Sequence, residues 1–101
     1  MEGVPVLHIH PPEAWHGEAF LVANRDALTI LKRVIEQALS EGKAHDVMCA
    51  ADGEGYDLWI QVIDSPLEGE DWERAALPYT DEYAREKRAD AIWPWQRKQK
   101  K

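Results

Sequence analysis

The hydrophobic positions change period along the chain, and each change marks an element. Residues 4–9, Val-Pro-Val-Leu-His-Ile, form a short β-like run. Pro5 cannot donate to a ladder, which suits a sheet edge or the first residues of a strand. Pro11-Pro12 ends that run, and a second one, Glu18 to Ala23, follows Gly17. The pair predicts a loose hairpin with His10 to Gly17 as its loop. From Ala27 the spacing lengthens to three and four. Ala27, Leu28, Leu31, Val34, Ile35, Ala38 and Leu39, broadened by Ile30, trace one stripe of a helix over 25–41. Asn24 is a good N-cap with Asp26 in the first turn, and Gly42 is placed to end the helix in a left-handed conformation.

Beyond Gly42 the period returns to two. Runs at 46–51 and 56–63 flank Asp52-Gly53-Glu54-Gly55, a hairpin signal because glycine reaches positive φ without strain. Leu58, Ile60 and Val62 alternate with Asp57, Trp59 and Gln61, so the first set should face the helix and Trp59 the opposite side. Thr80, followed by Asp81 and Glu82, predicts a second helix to Ile92, stopped by Pro94. The pattern gives an α+β fold in the order ββαββα. An antiparallel or mixed four-stranded sheet is expected, with one long amphipathic helix packed on one face. Residues 1–96 read as a single domain.

Composition narrows the class. At 45% hydrophobic and 31% charged the chain is globular, and no run of about 18 apolar residues could cross a membrane. The start, Met1-Glu2-Gly3-Val4-Pro5, lacks the basic and apolar blocks of a secretory leader. Cys49 is the single cysteine and can form no internal disulfide, so a cytoplasmic address is expected. The charge is unevenly spread. All 19 acids and 8 of the 12 bases lie in residues 1–96, while Arg97-Lys98-Gln99-Lys100-Lys101 is a basic, solvated tail expected to be disordered. The net charge of −7 repels nucleic-acid phosphates, leaving the tail as the one segment suited to them and an accessory nucleic-acid domain as a minor reading.

Three groups of residues could carry chemistry. His8 and His10 project from the same strand face, with His16 on the adjoining loop. Three imidazoles could ligate zinc, with Asp46, Asp52 or Cys49 as a fourth ligand; the same histidines also make an ordinary polar strand face. A small metal-dependent enzyme or metal-binding subunit is the reading they support. The acids around Gly53 lack calcium-loop spacing, and no Lys-Ser/Thr follows the glycines, so a tight turn explains them. Cys49 sits in Met48-Cys49-Ala50-Ala51, the setting of a buried inert thiol, and neither Ser40 nor Ser65 has a nucleophile-elbow context.

The third group is aromatic and acidic. Residues 64–73 hold Asp64, Glu68, Glu70, Asp71 and Glu73 with no Lys or Arg, in a segment broken by Pro66 and Gly69. The chain has 5 tryptophans, a residue enriched in binding hot spots. Trp93 and Trp95 could fold back over Trp59 or stand open to a partner. The leading expectation is a non-catalytic acidic interaction module without a cofactor, of the immunity or inhibitor type. It would bind a basic protein through Trp59, Glu68, Glu70, Asp71 and Trp72.

Overall fold

Asn24 sets where the long helix begins. In the computed structural model, which describes residues 3–13, 16–76 and 90–97, its backbone is extended at φ −85° and ψ 173°. Its Oδ1 accepts from the Ala27 N–H at 2.9 Å, satisfying one of the helix's orphan donors. The same side chain also holds the segment before the first strand. Oδ1 accepts from Val6 N at 3.2 Å, and Nδ2 donates to the Val4 carbonyl at 2.8 Å. The Asn24 N–H donates to the Val6 carbonyl at 3.1 Å.

The elements are β1 (Leu7–His10), β2 (Phe20–Ala23), α1 (Arg25–Glu41), β3 (Lys43–Cys49), β4 (Gly55–Gln61), α2 (Glu70–Glu73) and α3 (Pro94–Arg97). They fall into two compact units, residues 1–10 with 20–62, and residues 11–19 with 63–101. In the first unit β1 pairs antiparallel with β2, and β3 antiparallel with β4. In place of one four-stranded sheet there are two two-stranded ones, joined through a parallel bridge between Val6 and Cys49. The limit is local: β1 runs alongside β3 only where β3 ends, and Cys49 N donates to the Pro5 carbonyl at 2.8 Å there.

Helix α1 ends as its glycine dictates. Gly42 has φ 92° and its N–H donates to the Ala38 carbonyl at 2.7 Å. β3 begins at the next residue. The hairpin that follows turns through Gly53 at φ 93°, with Ala50 N bonded to the Glu54 carbonyl at 2.8 Å. Its inner face presents Ala44, Met48, Tyr56, Leu58 and Ile60 to the helix, with Val62 just beyond β4. Leu7, Ala27 and Met48 form one buried cluster, and Val34, Ala38 and Ala44 the other.

The buried stripe of α1 is narrower than its apolar arc. Ala27, Val34 and Ala38 are buried, and Ile30 and Leu31 partly so. Leu28, Ile35 and Leu39, which belong to the same sequence stripe, are exposed, Leu39 to 73%. One hairpin covers only part of an apolar arc this wide, and the small alanines allow the closest approach to it. Across the helix from that apolar flank, Arg33 Nη2 meets Asp46 Oδ2 at 2.6 Å and so ties α1 to β3. The Val47 N–H, at 2.7 Å from Oδ1, and the Arg33 guanidinium hold the Asp46 carboxyl below the usual carboxylate range.

In the second unit most of the expected 80–92 helix lies outside the described residues. At its far end Ile92 forms a parallel bridge with Ala75 rather than a last helical turn. Pro94 opens the short helix α3 instead of stopping one, because a missing N–H is harmless at the first helical position. Gln96 Oε1 accepts from the Trp93 N–H at 2.7 Å, the back-bond of a capping box. Among the described residues no helix is long and apolar enough to cross a membrane.

Buried and exposed apolar residues of this unit give a direct contrast. Leu7→Ala and Met48→Ala should each cost about 2–5 kcal/mol in denaturant unfolding, and Leu39→Ala less than about 0.5 kcal/mol. Asn24→Ala should cost more than the ~1 kcal/mol of an ordinary cap loss. Asn24→Asp should recover the bonds accepted from Ala27 N and Val6 N but not the one donated to the Val4 carbonyl; unfolding midpoints of the two variants measure the difference.

Candidate functional site

Strand alternation turns Leu7 into the core and His8 and His10 away from it. The two imidazoles lie with ring centroids 6.1 Å apart in an edge-to-face arrangement. They line an open cavity of about 380 Å³ together with Leu7, Ile9, Ala50 and Tyr56. His8 Nε2 accepts from the Ala51 N–H at 2.9 Å, so this nitrogen carries a lone pair and Nδ1 the proton. A metal at Nε2 would compete for that lone pair. His16, the third candidate ligand, lies in the 11–19 segment of the second unit. Among the described residues no group of three or more His, Cys, Asp and Glu side chains is arranged to hold a metal.

Tyr56 closes the inner side of the cavity, a role its place beside the glycine turn did not announce. Its hydroxyl donates to the Leu7 carbonyl at 2.5 Å, fastening β1 to β4. Burial pushes its ionisation above the ordinary tyrosine range, and nearby Cys49 adds to the effect.

On the outer face of β3 and β4 the cross-strand pair His45 and Trp59 stacks, with centroids 4.2 Å apart and planes 15° from parallel. Trp59 therefore occupies the sheet face that its alternation predicts, with His45 over one face of its ring. The other expected binding residues belong to the second unit. Glu70, Asp71 and Trp72 come together on the one-turn helix α2, with exposed Glu68 just before it.

Two arginines reach this acidic turn. Arg74 Nη1 lies 3.4 Å from Glu70 Oε2, its Nε lies 3.6 Å from Asp90 Oδ2, and Arg97 Nη2 donates to the Asp71 carbonyl at 2.9 Å. Ser65 Oγ donates to Asp71 Oδ2 at 2.5 Å. Trp72 stays 43% exposed among these charges. In the same unit Trp93 and Trp95 stack on each other at 5.2 Å and 8°, and Trp95 is 58% exposed. Their i, i+2 spacing across Pro94 was visible in the sequence; their mutual stacking was not.

The arrangement offers recognition chemistry, with aromatic faces beside fixed charges. Cys49 is half-buried at the end of β3. The Tyr56 contact has a measurable signature. The tyrosine signal lost in Tyr56→Phe should be one that ionises above about pH 10. A raised folded-state value means that this phenol stabilises the fold below that pH, and that the contribution is lost as pH rises through the folded value. Absorbance titration of both proteins, with unfolding midpoints at matched pH, reads both effects.

Compared with protein-family models, curated proteins and solved structures, the chain matches none, so its chemistry is read from its own residues.

Proposed function

We propose that the protein is a non-catalytic interaction module that binds a basic protein partner, in the manner of an immunity protein or inhibitor. The observation that carries this reading is Trp72, part-exposed on a single helical turn between Asp71 and Glu73, with Glu70 and Glu68 nearby. An exposed tryptophan is costly to leave in water and gains much on burial, and a surrounding ring of acids selects a cationic partner. Trp95 adds a second aromatic surface to the same unit. The net charge of −7 acts in the same direction by steering a basic partner at long range.

The two kinds of residue have separable roles. Glu68, Glu70 and Asp71 create a local negative field that salt screens over about 10 Å at 0.1 M. Such a field raises the association rate, while a desolvated tryptophan slows dissociation.

The immobilised chain should retain a basic protein from a cell extract at low salt. Binding kinetics with that protein then decide between the roles. Replacing Glu68 and Glu70 by Gln and Asp71 by Asn should lower the on-rate and flatten its salt dependence. Trp72→Ala should raise the off-rate by tenfold or more, as for a hot-spot residue worth about 1.4 kcal/mol or above. Wild-type kinetics in both variants would remove this surface from recognition.

A further inference from the structure

Among the described residues, one edge of the β1–β2 ribbon has no partner strand. The Asn24 N–H to Val6 carbonyl bond fixes the phase of the ladder, because hydrogen-bonded pairs alternate along antiparallel strands. With Val6 opposite Asn24 in a bonded pair, His8 opposite Val22 and His10 opposite Phe20 are bonded pairs as well. Leu21 and Ala23 on β2 therefore aim their backbone N–H and C=O groups away from β1. On the β1 side the same phase turns Leu7, and Pro5 just before the strand, outward to the other side. There the Leu7 carbonyl meets the Tyr56 hydroxyl and the Pro5 carbonyl meets Cys49 N. Among the described residues nothing pairs with the β2 edge.

The side chains on that edge are unshielded as well. Phe20, Leu21 and Val22 are exposed to 54%, 58% and 56%, so both faces of β2 meet solvent. Edge strands are ordinarily protected by a charge, a proline or a bulge. Residues 19–23, Ala-Phe-Leu-Val-Ala, contain no charge and no proline, in a chain that is 31% charged. A two-stranded ribbon is marginal until a further strand or a packed face supports it.

We infer that the β2 edge is the docking surface for a second copy of this chain, pairing β2 antiparallel with β2 about a two-fold axis at Leu21. The sequence is self-complementary in that register. Leu21 faces Leu21 of the copy as a doubly hydrogen-bonded pair. Ala19 faces Ala23, and Phe20 faces Val22 in the closer, non-bonded pairs, where an aromatic beside a β-branched residue packs well. Glu18 comes opposite Asn24 of the copy and one residue from its Arg25, so each end of the pairing sets an acid near a base and no like charges meet. Such an isologous contact closes on itself. It joins the two ribbons into one four-stranded antiparallel sheet, where the described residues of one chain form two-stranded ones.

The contact is short, so it makes a weak dimer, opposed at low salt by the −7 charge of each copy. Sedimentation from about 10 µM to about 1 mM should show reversible dimerisation that strengthens several-fold with added salt. Amide exchange at Leu21 and Ala23 should slow with protein concentration. Leu21→Lys and Leu21→Glu place like charges at the two-fold axis, and each variant alone should associate at least tenfold more weakly than wild type. Because Leu21 is exposed, both should keep the wild-type melting profile. Mixed one to one, they should associate again, with lysine opposite glutamate. A wild-type chain that stays monomeric across the range leaves the edge to a foreign strand and overturns the proposal. Dimerisation unchanged in Leu21→Lys, or a mixture no more associated than its components, overturns it too.

Discussion

One side chain couples the two ends of the first unit's topology. Asn24 caps α1 and at the same time bonds Val4 and Val6, so the start of the helix and the entry to β1 are a single hydrogen-bonded joint. Serine or threonine could supply the cap, but only an amide of this length offers an acceptor to the helix and a donor to a carbonyl in the neighbouring segment. The joint fixes which faces of β1 point inward. Leu7 is thereby delivered to Ala27 and Met48, and the Leu7 carbonyl to Tyr56. The cavity beside His8 and His10 follows from that placement.

Much of this was legible in the sequence because it rests on local chemistry. Asn24 as cap, Gly42 in the left-handed region and the Asp52-Gly53 turn each follow from backbone rules acting within a few residues. The inward set of β4 followed from strict alternation. Other features depend on contacts that periodicity does not encode. The α1 arc contained eight apolar positions in the sequence, and only packing decided that alanines and Val34 lie innermost while Leu28, Ile35 and Leu39 stay outside. Likewise, a single bridge at Val6 and Cys49, not a full ladder, joins the hairpins, a register that no one-strand pattern specifies.

The candidate site divided in the same way. Clustering of Glu70, Asp71 and Trp72 on one turn follows from adjacency, and a sequence reading finds it. Trp59 lies on the face opposite the helix, as alternation predicts, but its stacking on His45 depends on cross-strand register, which links residues 14 positions apart. Tyr56 was missed because its value lies in reaching a carbonyl 49 residues away. Proline at position 94 can end one helix or begin another; among the described residues it begins α3, where Gln96 bonds back to the Trp93 N–H.

The tight junction at Gly42 bears on how the first unit assembles. Helix α1 passes directly into β3, and β3 into β4 through a short turn, so residues 25–62 make their contacts between neighbours in sequence. Such contacts carry little loop-closure entropy and form early. The β1 segment must instead reach Tyr56, 49 residues along the chain from Leu7, and Cys49 at the far end of β3. It is therefore the part of the unit expected to dock last and to detach first. In that order Met48 would lose its Leu7 cover whenever β1 is away, and the Asn24 bonds to Val4 and Val6 are what hold the entry to β1 beside the helix.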